Sequence, residues 1–185
     1  MKHVNRVEEA VNTATLPSGS RIYCSGNAAT PQTLLKQLAT DESIRNVELF
    51  GVLFLGDTEV LFGQGCCNRI THRVIFNSAH SRFAVNNEWA MYQPLHLSDI
   101  PRQLRKHIHP NIVFISVAGP DNGGNFSLGT TVEAVLAAIE VAKANHGLVV
   151  AERNSRMPFV IGTTVTADMI DYLVDTDYDL PVNPS

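Results

Sequence analysis

The sequence predicts an α/β protein built on a doubly wound, mainly parallel open sheet, and three observations predict it. Apolar strand-like runs alternate with helix-patterned segments along the whole chain, which is the order that places helices on both faces of a parallel sheet. Residues 111–162 read as one complete βαβ unit, with the apolar run Ile112-Val113-Phe114-Ile115 at one end and Leu148-Val149-Val150-Ala151 at the other. Crossovers of that kind are right-handed. Finally, 185 residues at 44% hydrophobic and 17% charged content suit a single domain with a sizeable core.

Taken in order, Val4, Val7, Ala10 and Val11 have helical spacing, and Pro17 with Ser18-Gly19-Ser20 ends that helix. Residues 21–24 form a short strand that breaks at Gly26. Thr30 reads as an N-cap with Pro31 at the first helical position, and Leu34, Leu35 and Leu38 supply the buried stripe. Residues 46–55 are a long apolar strand, 58–62 an edge strand or loop, and 63–67 are ambiguous. Further strands fall at 71–76 and 92–96, with helices at 81–87 and 98–106. The βαβ helix opens at Thr130 with Glu133 three residues on, a capping-box spacing, and buries Val132, Val135, Leu136, Ile139 and Ala142. Residues 166–170 read as a helical turn and 172–174 as a strand. The acidic, proline-containing tail from Asp175 has little reason to fold alone.

Bulk properties exclude several function classes. A net charge of −4 argues against nucleic acid as the main partner, because such binding needs a basic face. No apolar run approaches the ~18 residues of a membrane span. The amino terminus lacks the apolar centre of a signal sequence, and the three cysteines include an adjacent pair, Cys66-Cys67, which is no disulfide framework. A cytoplasmic protein is the expectation. Among the seven histidines, His107 and His109 project to different sides, and His72, His80 and His96 have no partner at a zinc spacing, so no metal site is expected.

Ligands of open α/β sheets sit beyond the carboxyl ends of the strands, and two loops fall there. One is Gly26-Asn27-Ala28-Ala29-Thr30, where helix-start amides favour an anion such as a carboxylate. Asn77 and Ser78 follow another strand; they suit either a carboxylate ligand or the cap of the next helix. The other loop, with Gly119, Pro120, Asp121, Gly123, Gly124, Ser127 and Gly129, matches neither a Walker loop nor a Rossmann fingerprint. Ordinary turn chemistry accounts for its glycines as well as ligand binding does. Glu59 reads as a solvated edge residue. Glu152, a carboxylate ending an apolar strand, is either a catalytic group or a hydrogen-bonded partner of the neighbouring turn.

The runs Ser116-Val117-Ala118-Gly119-Pro120-Asp121, Phe126-Ser127-Leu128-Gly129 and Ala151-Glu152-Arg153-Asn154 with Met157-Pro158 resemble the amino-terminal domain of the acetyl-CoA hydrolase/transferase family. Ser25-Gly26-Asn27-Ala28-Ala29-Thr30-Pro31, Phe76-Asn77-Ser78 and residues 94–101 extend the resemblance over nearly the whole chain. It implies a three-layer αβα fold of the NagB/RpiA/CoA-transferase type and a CoA-transferase acting on an acyl-CoA and a small carboxylic acid. Coenzyme A would be a substrate, with no permanently bound cofactor. By the same resemblance Gly26, Asn27, Ala28, Thr30, Asn77 and Ser78 border the carboxylate pocket, and the 119–129 loop lines an interdomain cleft. Asn125 stands where relatives often carry an aromatic residue, and Glu152 and Asn154 support the site rather than react. The nucleophilic glutamate of the family lies in a second domain that nothing in this chain matches. The expectation is therefore an amino-terminal half, inactive alone, with a second CoA-transferase domain or subunit as partner and a homo-oligomeric assembly. A hydrolase using the same cleft and a non-catalytic acid- or CoA-binding module are the alternatives.

Overall fold

In the computed structural model, which describes residues 1–182, ten strands and five α-helices form three layers. The strands are β1 (Lys2–Val4), β2 (Arg21–Cys24), β3 (Val47–Gly51), β4 (Ile70–Val74), β5 (Met91–Tyr92), β6 (Ile112–Val117), β7 (Asn125–Ser127), β8 (Leu148–Asn154), β9 (Thr164–Thr166) and β10 (Tyr172–Thr176). The helices are α1 (Gln32–Thr40), α2 (Gln64–Cys67), α3 (Ala79–Asn86), α4 (Ile100–Gln103) and α5 (Val135–Ala144). α4 continues as a π-helical turn, Leu104–Ile108.

Eight strands make one sheet in the order β1-β10-β8-β6-β2-β3-β4-β5, and every pairing within it is parallel. The chain winds outward from β2 through β3 and β4 to β5. It then returns to the opposite side of β2 with β6 and winds outward again through β8 and β10. The boundary between β2 and β6 is the switch point at which a crevice opens. β6 lies between β2 and β8, and all six of its residues are buried, so its apolar run is continuous because helices cover both of its faces.

Side-chain alternation divides the core in two. Ile22, Cys24, Ile112 and Phe114 pack with Leu34, Leu35 and Leu38 of α1 and Ala84 of α3. Tyr23, Val113, Ile115 and Val117 pack on the other face with Ile100, Leu104, Val135 and Ala138. The α1 end is fastened by Arg69, whose buried guanidinium donates to the carbonyls of Ala39, Asp41 and Ile44 at 2.6, 3.1 and 2.9 Å. His72 sits between the rings of Phe54 and Phe62, and burial pushes its imidazole down to about 3, so it packs as a neutral ring.

Several local expectations are corrected. Residues 4–11 are no helix: β1 pairs with β10, and only a single 3-10 turn, Val7–Glu9, follows. The apolar spacing there serves an edge strand and then a turn packed on α1. Thr30 does not cap α1; its hydroxyl donates to Asn27 O at 2.7 Å and accepts from Leu55 N at 3.2 Å, stitching two loops together. The strand expected over 92–96 is only Met91–Tyr92, since Pro94 has no amide for a ladder. Residues 59–62 are a 3-10 turn. The helix expected from Thr130 begins at Val135, and Glu133 makes no capping box. β7 pairs antiparallel with β9 in a separate ribbon, so the 119–129 loop is built from paired backbone. The tail after Asp175 is fastened to the fold by Tyr178, as described below.

Candidate functional site

The turn after β2 is locked by its own polar groups. Ser25 Oγ donates to Ala29 O at 2.8 Å and accepts from Ser116 N at 3.3 Å, tying the turn to β6. Asn27 adopts a left-handed backbone (φ 51°) and donates its amide to Leu53 O at 2.7 Å. A Cβ at Gly26 would lie 2.6 Å from Leu53 O and 3.0 Å from a Glu133 carboxylate oxygen, so only glycine permits this approach. Ala28 is half-buried in the same turn.

Glu133 reaches this turn from across the crevice. It too has a left-handed backbone (φ 47°), two residues before α5. Its Oε1 accepts from Asn27 Nδ2 at 2.7 Å, and Oε2 lies 3.4 Å from the Tyr23 hydroxyl. Burial pushes its carboxyl up to about 7, against the opposing pull of the Asn27, Tyr23 and Gly26 donors. The carboxylate faces a cavity of about 630 Å³ at the carboxyl ends of β2, β3 and β4. Asn27, Asn77, Thr131 and Glu133 are the polar lining; Val52, Leu53, Phe76, Leu97, Ile100 and Ala134 supply the apolar wall. A small set of polar groups in an apolar hollow is the usual composition of a small-molecule pocket.

Asn77 lines this cavity, and its Oδ1 is buried without a hydrogen-bond partner. Ser78 is committed to capping α3: its Oγ accepts from Ser81 N at 3.1 Å, while Ser81 Oγ accepts from Ser78 N at 2.7 Å. With His80, Ser78 borders an adjoining cavity of about 440 Å³.

The 119–129 loop lies elsewhere. Asp121 accepts from the amides of Gly123 and Asn125, both at 2.8 Å, which closes a self-contained turn around Pro120, Gly123 and Gly124. Ser127 Oγ donates to Val160 O at 2.8 Å and accepts from Gly129 N at 3.1 Å, so it ties the ribbon to the 155–163 loop. Gly129 (φ 67°) packs against Met157. Gly119 borders a separate cavity of about 590 Å³ with Arg153, Ser155 and Asp175. Of the expected site residues, Asn27 and Asn77 line this cavity; Gly26, Ala28 and Thr30 belong to the turn behind Asn27 and are not among its lining, and the second loop borders a different cavity.

Glu152 is fully buried at the start of α1. Its Oε2 accepts from the Thr33 and Leu34 amides at 3.0 and 3.2 Å, and its Oε1 contacts the Tyr178 hydroxyl. That hydroxyl also accepts from Gln32 N at 3.1 Å, while Asn154 Nδ2 donates to Tyr178 O at 2.9 Å. Burial pushes the Glu152 carboxyl up to about 8, with the two helix amides pulling it down. Every oxygen of Glu152 has a partner, and it lines none of these cavities.

Sequence reasoning missed Glu133, because a Thr-x-x-Glu spacing beside an apolar stripe reads as a helix cap. In the structure the helix begins only at Val135, which leaves Glu133 outside it, and no local spacing announces its contact with Asn27. Tyr178 carried no pattern at all. Among the described residues no three His, Cys, Asp or Glu side chains converge as metal ligands, and no helix is long and apolar enough to cross a membrane.

The model of the acetyl-CoA hydrolase/transferase N-terminal domain matches residues 1–183. Over 151 residues the chain is 30% identical to the succinyl-CoA:acetate/propanoyl-CoA:succinate CoA transferase of Fasciola hepatica, covering 80% of this chain and 30% of that one. In fold it is similar to RipA from Yersinia pestis, with a TM-score of 0.87 at 24% identity over 100% of this chain and 45% of that one. The 4-hydroxybutyrate CoA-transferase of Porphyromonas gingivalis gives a TM-score of 0.71 at 19% identity, covering 97% of this chain and 40% of that one. The chain spans less than half the length of each of these relatives.

Proposed function

The chain belongs to the acetyl-CoA hydrolase/transferase family, and from that premise we propose that it is the amino-terminal half of a CoA-transferase. It moves CoA between an acyl-CoA and a small carboxylic acid such as 4-hydroxybutyrate, butyrate or acetate. The observation that carries this reading is the apolar cavity of about 630 Å³ at the switch-point side of the sheet, rimmed by Asn27, Asn77 and Glu133. Its size suits a short acyl chain, and its place is where open α/β sheets bind ligands.

In the family's chemistry, a glutamate carboxylate attacks the thioester carbonyl and expels the CoA thiolate, leaving a mixed anhydride. The thiolate then attacks the glutamyl carbonyl, releases the free acid and leaves a glutamyl-CoA thioester, and the acceptor acid reverses both steps. Such a weak nucleophile needs fixed donors around the developing oxyanion. That glutamate belongs to a second domain or subunit; this chain supplies the Gly26–Thr30 turn, Asn77 and Ser78 on the carboxylate side, and the 119–129 loop toward the partner. Phe76, Tyr92 and Leu97 stand exposed beside the cavity, which fits a partner covering them better than a stand-alone module. The assembly is cytoplasmic and homo-oligomeric in this reading.

The purified chain is incubated with acetyl-CoA and a panel of short carboxylates, alone and with the second domain supplied, and new acyl-CoA species are followed by mass spectrometry. Transfer only in the combined sample is expected. Turnover by the chain alone would overturn the assignment of the nucleophile, and free CoA without acyl exchange would make the assembly a hydrolase.

A further inference from the structure

We propose that Glu133 is a charge filter that admits acyl tails without negative charge, apolar or hydroxyl-bearing, and turns away the terminal carboxylate of a dicarboxylic acyl group. The inference rests on reading the cavity as the acyl pocket. Its first support is position. Glu133 is held against the cavity by Asn27 Nδ2 at 2.7 Å, on a left-handed backbone that leaves it little freedom to turn away. The second is what surrounds it. Among the described residues no lysine, arginine or histidine lines the cavity, so none of them offsets a second negative charge there. The groups facing Glu133 are Tyr23 and Cys24 of β2, both kept neutral by burial, and the neutral Asn27 side chain. From the β3, β4 and α4 sides come Val52, Leu53, Phe76, Asn77, Leu97 and Ile100, none of them charged.

The third support is the size of the repulsion. Two carboxylates about 5 Å apart at an effective dielectric near 20 repel by enough to lower affinity on the order of a hundredfold. With the Glu133 carboxyl titrating at about 7, the filter is set above that pH and relaxes below it, where the neutral acid can donate to a terminal carboxylate.

The test is an amide NMR titration of the chain with S-butyryl- and S-succinyl-N-acetylcysteamine, which differ by the terminal carboxylate and carry no other charge. At pH 8 the butyryl thioester is expected to shift the amides of Asn27, Asn77 and Thr131. The succinyl thioester should need on the order of a hundredfold more ligand. Glu133→Gln should narrow that gap to a few-fold, and lowering the pH to 6 should narrow it in the unaltered chain, which needs no variant to fold. Equal binding of both thioesters at pH 8, or a gap unchanged by both the substitution and the pH, overturns the filter and leaves the pocket standing. No shift with either thioester overturns the pocket reading and the filter with it.

Discussion

Two glutamates lie in the interior on opposite sides of the same turn, and they are used in opposite ways. Glu152 is surrounded by donors: two amides at the start of α1 and the Tyr178 hydroxyl consume its oxygens. Glu133 has one short hydrogen bond, to Asn27, with the Tyr23 hydroxyl at 3.4 Å and the Gly26 backbone as its other donors, and it borders an apolar cavity. Burial raises both carboxyls, to about 8 and about 7. A raised pKa therefore does not distinguish the residue that holds the fold from the one that faces a ligand; bordering a cavity does.

Removing each group should separate these roles. Glu152→Ala strands the Thr33 and Leu34 amides and the Tyr178 hydroxyl, and should cost about 2–4 kcal/mol in urea unfolding. A loss below ~1 kcal/mol would mean that water substitutes for the carboxylate and that Glu152 is no anchor. Glu133→Gln should act in the reverse sense. The folded carboxyl titrates at about 7 against 4.5 unfolded, so the folded state holds the extra proton and stability falls as pH rises through that window. Above pH 7 the substitution should therefore stabilise by up to roughly 3 kcal/mol and remove about half of the decline in urea midpoint between pH 5 and 7, the other half belonging to Glu152, whose carboxyl is raised to about 8. A decline that persists unchanged would assign all of it to Glu152. Tyr178→Phe should cost about 1–2 kcal/mol by leaving Gln32 N and one Glu152 oxygen without a partner. Asp121→Ala, in the exposed turn of the other loop, should leave the melting temperature nearly unchanged and increase proteolytic nicking at 121–125.

The parallel sheet was legible because its strands are apolar runs and its helices have buried stripes, and both signals survive without knowledge of partners. β6 and the Leu34-Leu35-Leu38 face lie where their patterns put them. The edges were less legible. β1 has three residues and only one buried side chain, too little for a period of two to register against the helical spacing of Val4, Val7 and Val11. Of the site, Gly26 and Asn27 could be located from a strand ending in a glycine. The importance given to the 119–129 loop came from glycine content, which serves a turn closed by Asp121 as readily as a ligand. Glu133 and Tyr178 meet their partners across 106 and 26 residues of sequence, contacts that no local spacing announces.

The pairing of β1 with β10 sets the order in which the molecule can be completed. Lys2, His3 and Val4 align with Tyr172, Leu173 and Val174, so residues 2–4 find their neighbour only after a segment 170 residues further along has been made. Until then residues 2–4 have no ladder to join, and the outer edge of β8 stays open. Loop closure over so long a separation comes late, after the local βαβ units have formed. The Glu152–Tyr178 anchor lies beside this last seam, so the step that closes the sheet is also the step that fixes the start of α1 and with it the turn at Gly26.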